Sequence, residues 1–76
     1  MPYGGERALN DYIFEAYTAG AVAMSAALDS SQGHLVASAS QAGNTVTISA
    51  AGQNKGVYIL RISDGKQTHA QKVVVR

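Results

Sequence analysis

Hydrophobic and polar residues alternate along most of this chain, and the alternation predicts β-strands. The clearest case is residues 45–49, where Val46 and Ile48 are separated by threonine and flanked by threonine and serine. Successive side chains of a strand point to opposite faces, so we expect Val46 and Ile48 to face a core. Residues 34–40 also alternate, and their pattern places Leu35 and two alanines on one face.

The last part of the chain, residues 56–76, has the pattern of a β-hairpin. Residues 57–63 are rich in β-branched and aromatic side chains, which favour strands. Asp64-Gly65 follows directly, and this dipeptide favours a type I′ turn. The chain then returns as Lys-Val-Val-Val-Arg over residues 72–76. Apolar residues on both sides of this run are typical of a strand that is covered on both faces.

The first half of the chain is less regular. Residues 12–18 predict a strand with apolar groups on both faces, so the pattern leaves its inward side open. Residues 21–28 are alanine-rich, which suits a helix, but they also alternate, with Val22 and Met24 on one face. We favour a strand, because so short a helix is unstable without caps.

Turn signals divide the chain at regular intervals. Proline and paired glycines predict an irregular linker over residues 1–7, and turns are expected at residues 19–20, 29–33 and 41–44. This spacing predicts a sandwich or barrel of six strands, and residues 7–10 leave room for a seventh. The alternation predicts a core made of Val22, Met24, Leu35, Val46, Ile48, Tyr58, Leu60, Ile62, Val73 and Val75.

Composition limits the class of protein. The chain has 76 residues, which is room for one domain, and its 46% hydrophobic and 14% charged residues are typical of a packed fold. It has no cysteine, so a disulfide framework is excluded. No apolar run approaches the ~20 residues of a membrane span, and the start does not resemble a signal peptide. The chain is therefore expected to be cytosolic or a piece of a longer preprotein.

Charge is distributed unevenly. The net charge of +1 gives no indication of nucleic-acid binding. Residues 55–76, however, carry a net +4, from three lysines and two arginines against Asp64, while residues 1–54 carry a net −3. One interpretation is that these cations protect an exposed strand edge from aggregation. The other is that they guide the hairpin to an acidic partner.

The search for catalytic or metal-binding residues indicates no enzyme, cofactor or metal site. His34 and His69 lack the neighbouring ligands that a metal site requires, and the serines lack a nucleophile elbow. Asp29 and Asp64 are expected in turns, bonded to their own backbone. Tyr58 is expected to be a core or corner tyrosine.

The hairpin also carries a family resemblance. Gly-Val-Tyr-Ile-Leu-Arg-Ile from Gly56, a short polar turn and the closing Lys-Val-Val-Val-Arg resemble the C-terminal sorting domain of the type IX secretion system, type A. The resemblance is strong over residues 56–76 and traceable back to about Val22, through the turn from Asp29 to Gly33. It implies an all-β, immunoglobulin-like sandwich of about six to seven antiparallel strands, with residues 1–9 as linker and residues 10–76 as the sorting domain.

The resemblance further implies a secretion signal at the end of an exported cargo of a Gram-negative bacterium. The expected partners are an outer-membrane translocon and its shuttle protein, followed by a cysteine-dependent sortase that removes the domain and leaves the cargo at the cell surface. The expected recognition residues are Gly56, Tyr58, Lys72, Val73, Val74, Val75 and Arg76. An exposed terminal strand also predicts a homodimer through that edge, unless Lys72 and Arg76 prevent it.

Two other functions fit the same sequence. One is a sorting-domain-like part of the translocon or the attachment machinery that is not cleaved. The other is a structural or adhesive sandwich module of a surface protein, although tryptophan is absent and aromatic residues make up only 7% of the chain.

Overall fold

The fold is built from strands alone in the part of the chain that is described. The computed structural model describes residues 3–10 and 12–76, with side chains from Leu9 onward. Its strands are β1 Tyr3–Ala8, β2 Ile13–Thr18, β3 Ala23–Ser30, β4 Leu35–Ala42, β5 Thr45–Ser49, β6 Gly56–Ser63 and β7 Thr68–Val75. Residues 21–28 are therefore mainly strand β3, as the alternation predicted. Among the described residues, no helix is long and apolar enough to cross a membrane.

The strands form two antiparallel sheets that pack face to face. One has the order β1-β2-β5 and the other the order β4-β3-β6-β7. The chain therefore changes sheet three times, between β2 and β3, between β4 and β5, and between β5 and β6. Seven strands divided in this way between two sheets are the arrangement of an immunoglobulin-like sandwich, so the predicted fold class is confirmed.

The core lies between the two sheets. The three-stranded sheet contributes Phe14, Ala16, Val46 and Ile48, and the four-stranded sheet contributes Met24, Ala26, Leu28, Tyr58, Leu60, Ile62 and Val75. On β2 the buried positions are Phe14, Ala16 and Thr18, which settles the inward face that the pattern left open. Most of the predicted core is confirmed, and Val73 is half-buried against it.

Leu35 was predicted to be buried, and this is wrong because a register shift reverses its direction. Leu35 is 60% exposed. Leu28 pairs with Ala37, but the next residue of β3, Asp29, pairs with Leu35, so β4 has one extra residue at Val36. Such a bulge changes which face the following side chain occupies. Val36 packs partly against the core, whereas Leu35 lies on the outer face.

Val22 was also wrongly placed in the core, and it is 84% exposed. It precedes the first residue of β3, so the pleat of the strand does not set the direction of its side chain. The Val22 carbonyl accepts a hydrogen bond from Gly43 N–H at 2.8 Å, and Ala21 packs against the core instead.

The N-terminal segment is more regular than its composition suggested. Residues 3–8, predicted as irregular chain, form β1, which pairs with β2 and shifts register between Tyr3 and Gly5. Pairing with β2 satisfies backbone groups that a linker would leave to water. The sequence left room for a seventh strand near residues 7–10, and the strand that is present lies earlier, since Leu9 and Asn10 follow β1. The division into a linker of residues 1–9 and a domain of residues 10–76 stays a prediction.

Candidate recognition surface on the terminal hairpin

The hairpin of β6 and β7 has one face in the core and one in solvent. Tyr58 pairs with Val73 and Gly56 pairs with Val75, and the side chains of Tyr58, Val73 and Val75 face inward. Val75 is buried and Val73 is half-buried, whereas Lys72 and Val74 on the other face are exposed. The alternation therefore lets the strand pack through one set of side chains and present the other.

Gly56 and Tyr58 determine the backbone conformation at the start of β6 and its attachment to the preceding loop. Gly56 has φ +151°, which L side chains rarely adopt, although a Cβ there would meet nothing within 4 Å. The requirement for glycine is therefore conformational rather than a matter of space. The Tyr58 hydroxyl donates to the Asn54 carbonyl at 2.6 Å, and its ring lies in the core. This is the tyrosine corner of immunoglobulin-like folds, as the sequence predicted.

The turn between the strands is held by Asp64. Its Oδ1 accepts hydrogen bonds from Gln67 N–H and Lys66 N–H, both at 2.9 Å. These bonds stabilise the carboxylate and lower the pKa of Asp64. Asp64 is thus bonded to its own turn, as predicted.

The predicted type I′ turn is wrong. Gly65 has φ +91°, but no other kind of residue has a positive φ among the described residues. Between Asp64 and Gln67 the two central residues are therefore a glycine with positive φ and a lysine without it, whereas a type I′ turn requires positive φ at both.

Strand β7 is an edge of the four-stranded sheet. It pairs with β6 on one side, and no strand of the described residues pairs with it on the other. An edge strand exposes backbone N–H and C=O groups that can pair with a further strand. The open edge that the sequence left as one possibility is therefore present, whereas the covering of both faces that the valine run suggested is not, because Lys72 and Val74 are exposed.

The backbone groups at this edge can be assigned to particular residues. Asp64 N–H donates to the Gln67 carbonyl at 3.2 Å, so these two residues form a hydrogen-bonded pair. Bonded and non-bonded pairs alternate along antiparallel strands, and the pairing of β6 with β7 has no register shift. Lys72 and Val74 therefore fall in non-bonded pairs with respect to β6, and their N–H and C=O groups face the free edge.

The outer face near this edge is apolar with a basic border. Val57 and Val74 lie directly opposite each other and are 43% and 46% exposed. Lys72 lies opposite Ile59, one pair further along, and Arg76 follows β7. Neither Lys72 nor Arg76 has an acidic partner among the described residues. We call Val57, Lys72, Val74 and Arg76 the edge patch.

An ion pair borders this patch. Arg61 Nε donates to Asp29 Oδ2 at 2.7 Å and Arg61 Nη2 donates to Asp29 Oδ1 at 3.1 Å. These bonds raise the pKa of Arg61. The prediction that Asp29 lies in a turn and bonds its own backbone is wrong, because β3 continues through Ser30. Arg61 is thus neutralised by its neighbour, and its charge does not add to that of the edge patch.

Beyond the ion pair, the side chains on the outer face are small and many of them are polar. A shallow concavity of about 640 Å³ is lined there largely by serine and alanine. Ser40, Ser25, Ser63 and Thr68 form one row across all four strands, because each is directly paired with the next. The row lies away from Val74 and Arg76 at the other end of β7.

The structure separates the seven predicted recognition residues into two groups. Lys72, Val74 and Arg76 are exposed together, while the remaining four shape or anchor the hairpin: Gly56, Tyr58, Val73 and Val75. Sequence reasoning missed Val57, although its alternation with Tyr58 and its place opposite the valine run were signals for it. The role of the seven residues in recognition stays a prediction.

The two histidines lie in different parts of the fold. His34 is exposed before β4, and His69 lies half-buried in β7. Among the described residues, no group of three or more histidine, cysteine, aspartate or glutamate side chains is placed to hold a metal ion.

The chain matches a known family model, and the matched residues include the terminal hairpin. The family model of the secretion system C-terminal sorting domain matches residues 13–76, from the start of β2 through the whole edge patch. No curated protein and no solved structure matches the chain. The family is not known for enzymatic activity. Since the match covers well over half of the chain, the protein belongs to the family of secretion system C-terminal sorting domains, the signals of type IX secretion.

Proposed function

We propose that this domain directs a cargo protein through the outer membrane by type IX secretion and is then removed by a cysteine-dependent sortase. The observation that carries the proposal is the family match over residues 13–76, which indicates a sorting signal and an exported protein. In this proposal the domain is the substrate that the machinery recognises, and the translocon and its shuttle protein are its partners.

The structure supports a role for the folded domain rather than for a linear peptide. Residues of the edge patch are brought together by two strands, because Val57 lies on β6 and Val74 on β7. Their arrangement depends on the tyrosine corner and on the core contacts of Val75. A machine that reads this surface therefore distinguishes a folded domain from an unfolded one.

The position of β1 bears on the cleaved bond. Strand β1 pairs with β2 from Tyr3 onward, and a protease needs an extended segment that is free of such pairing. In this proposal the sortase bond therefore lies before Tyr3, which is consistent with the cleavage ahead of the domain that the family resemblance implies.

A fusion experiment tests this function. The 76-residue chain is joined to the end of a folded reporter that carries its own inner-membrane export signal, in a bacterium with a type IX system. We expect the reporter at the cell surface or in the medium, and in the periplasm of a strain that lacks the translocon. A reporter that stays in the periplasm of both strains contradicts the proposal.

A second measurement on the same fusion tests cleavage. Mass spectrometry of the exported reporter should find no peptides from residues 56–76. If these peptides remain attached to the exported reporter, the domain is retained, which supports the non-cleaved alternative instead.

Deletion of residues 73–76 should block export of the reporter, but it also removes buried apolar surface worth roughly 1.5–3 kcal/mol for each inward valine. The melting temperature of this deletion variant must therefore be measured together with its export, so that loss of recognition is separated from unfolding.

A further inference from the structure

Two properties of β7 coincide at Lys72 and Val74. Their side chains lie on the outer face, and their backbone N–H and C=O groups point to the free edge of the sheet. A strand that pairs along this edge would form its hydrogen bonds with these two residues. Its side chains opposite them would lie on the same outer face, where cross-strand neighbours interact directly.

The free edge of β7 differs from the edge at β5, where a side chain is hydrogen-bonded to the backbone. At β5, Thr47 N–H donates to Gln41 Oε1 at 3.0 Å, so a side chain from β4 occupies that position. Among the hydrogen bonds of the described residues, no side chain bonds to the backbone of Lys72 or Val74. Strand β7 therefore offers a place for a further strand without displacing an existing bond.

The charges near the edge indicate the chemistry of its occupant. Lys72, Val74 and Arg76 alternate with inward valines, so the outer face presents a cation, an apolar side chain and a second cation in order. Opposite charges directly across two strands are stabilising and like charges are destabilising. An added strand matches this order when it carries an acidic, an apolar and an acidic residue at alternate positions.

We propose that β7 accepts an extended segment of a partner protein as a fifth strand, and that this segment has the pattern acidic–any–apolar–any–acidic. Its apolar side chain lies beside Val74 and extends the Val57–Val74 pair across a third strand. Its two carboxylates lie beside Lys72 and Arg76. This inference rests on the proposed function, because the segment belongs to the machinery that reads the sorting signal.

A second copy of the chain is a poorer occupant of this edge. Two β7 strands paired side by side bring Lys72 and Arg76 of both copies to one edge, and β7 has no acidic residue to balance them. The homodimer predicted from the sequence is therefore expected to require high salt, which screens this repulsion. An acidic partner has the opposite dependence on salt.

Peptide binding tests the chemistry of the segment. The probes are two end-blocked peptides, Thr-Glu-Thr-Val-Thr-Glu-Thr and its counterpart with lysine in place of glutamate, titrated into the purified 76-residue chain. We expect the acidic peptide to bind on the order of tenfold more tightly than the basic one at low salt. In the double variant Lys72→Glu with Arg76→Glu the preference should reverse. Equal binding of the two peptides, or a preference that the double variant leaves unchanged, overturns the proposal.

A backbone test separates strand addition from simple charge attraction. Val74→Pro removes an N–H that faces the free edge and leaves the ladder with β6 intact, as proline does on edge strands. Val74→Ala is the matched control, because it shortens the same side chain but keeps the N–H. We expect Val74→Pro to bind the acidic peptide at least several-fold more weakly than Val74→Ala, with both variants folded by circular dichroism. Equal binding by the two variants contradicts strand addition.

These binding assays do not depend on export. If the reporter is exported but the acidic peptide shows no preference for the wild-type chain, the sorting function stands and the edge is not its recognition site. If the peptide binds as expected but the reporter is not exported, the edge recognises an acidic strand and the proposed sorting function fails.

Discussion

The Tyr58 hydroxyl donates a hydrogen bond to the Asn54 carbonyl across the corner that leads into β6, at 2.6 Å. Tyr58 is only 7% exposed, so this bond joins a loop to the core. We expect Tyr58→Phe to lower the free energy of unfolding by about 0.5–1.5 kcal/mol, because the Asn54 carbonyl loses its donor. Tyr58→Ala should cost about 3–5 kcal/mol. Urea unfolding of both variants checks this, and a phenylalanine variant as stable as the wild type would show that the bond contributes nothing.

Leu60 and Leu35 test the assignment of faces. Leu60 is fully buried, and Leu60→Ala should cost about 2–5 kcal/mol, a large part of the stability of a small domain. Leu35 is 60% exposed because of the bulge at Val36, so Leu35→Ala should change the stability by no more than about 0.5 kcal/mol. Chemical denaturation of the two alanine variants measures the difference. Similar losses in both would contradict the bulge.

Thr18 offers a stabilising substitution. Its side chain is 2% exposed, and its Oγ1 has no hydrogen-bond partner among the described residues. Valine has nearly the same shape without the hydroxyl, so Thr18→Val should raise the free energy of unfolding by about 1 kcal/mol or more. Thr47→Val, on an exposed position of β5, is the matched control and should have little effect. A Thr18→Val variant less stable than the wild type would mean that the hydroxyl is bonded.

Asp64 should make the hairpin sensitive to acid. Bonds from the Gln67 and Lys66 backbone lower its pKa below the ordinary value of 3.8. The stabilisation by this carboxylate is therefore complete above the ordinary value and is lost as the pH falls through the lower, folded-state pKa. Comparing wild type with Asp64→Asn by thermal unfolding, we expect the wild-type advantage at pH 7 to shrink at strongly acidic pH. An advantage that is independent of pH would contradict the assignment.

The basic residues of the edge patch should matter for export more than for stability. Lys72 and Arg76 are exposed, and exposed charges usually contribute little to folding. We expect Lys72→Glu with Arg76→Glu to leave the melting temperature nearly unchanged and to reduce secretion of the reporter. Lys55→Glu with Lys66→Glu changes the net charge equally but lies outside the patch. If the Lys72 and Arg76 variant is secreted at the wild-type level, these cations serve only to protect the strand edge. If both double variants are reduced equally, net charge rather than the position of Lys72 and Arg76 matters for export.

The sequence by itself determined the strands whose pattern is strictly local. In β5, polar and apolar residues alternate without interruption, so Val46 and Ile48 could face only one way. In β6, Arg61 between Leu60 and Ile62 indicates the inward face in the same manner. In β7, the flanking Lys72 and Arg76 indicated that Val73 and Val75 share the opposite face. Such positions follow from the two-residue period of a strand and need no knowledge of its neighbours.

Only the tertiary structure decided features that depend on a second strand. The bulge at Val36 turned Leu35 outward because β4 must match the register of β3, and β1 exists because β2 supplies its hydrogen bonds. Asp29 pairs with Arg61, which is distant in sequence, rather than with its own turn.

The edge patch combines both kinds of information. The alternation of Lys72, Val74 and Arg76 with inward valines could be predicted from the sequence. Whether that strand lay at the centre or the edge of a sheet depended on the order in which the strands associate, and so did the position of Val57 opposite Val74. Strand order is set by packing between elements that are distant in the chain, and a local pattern of side chains does not encode it.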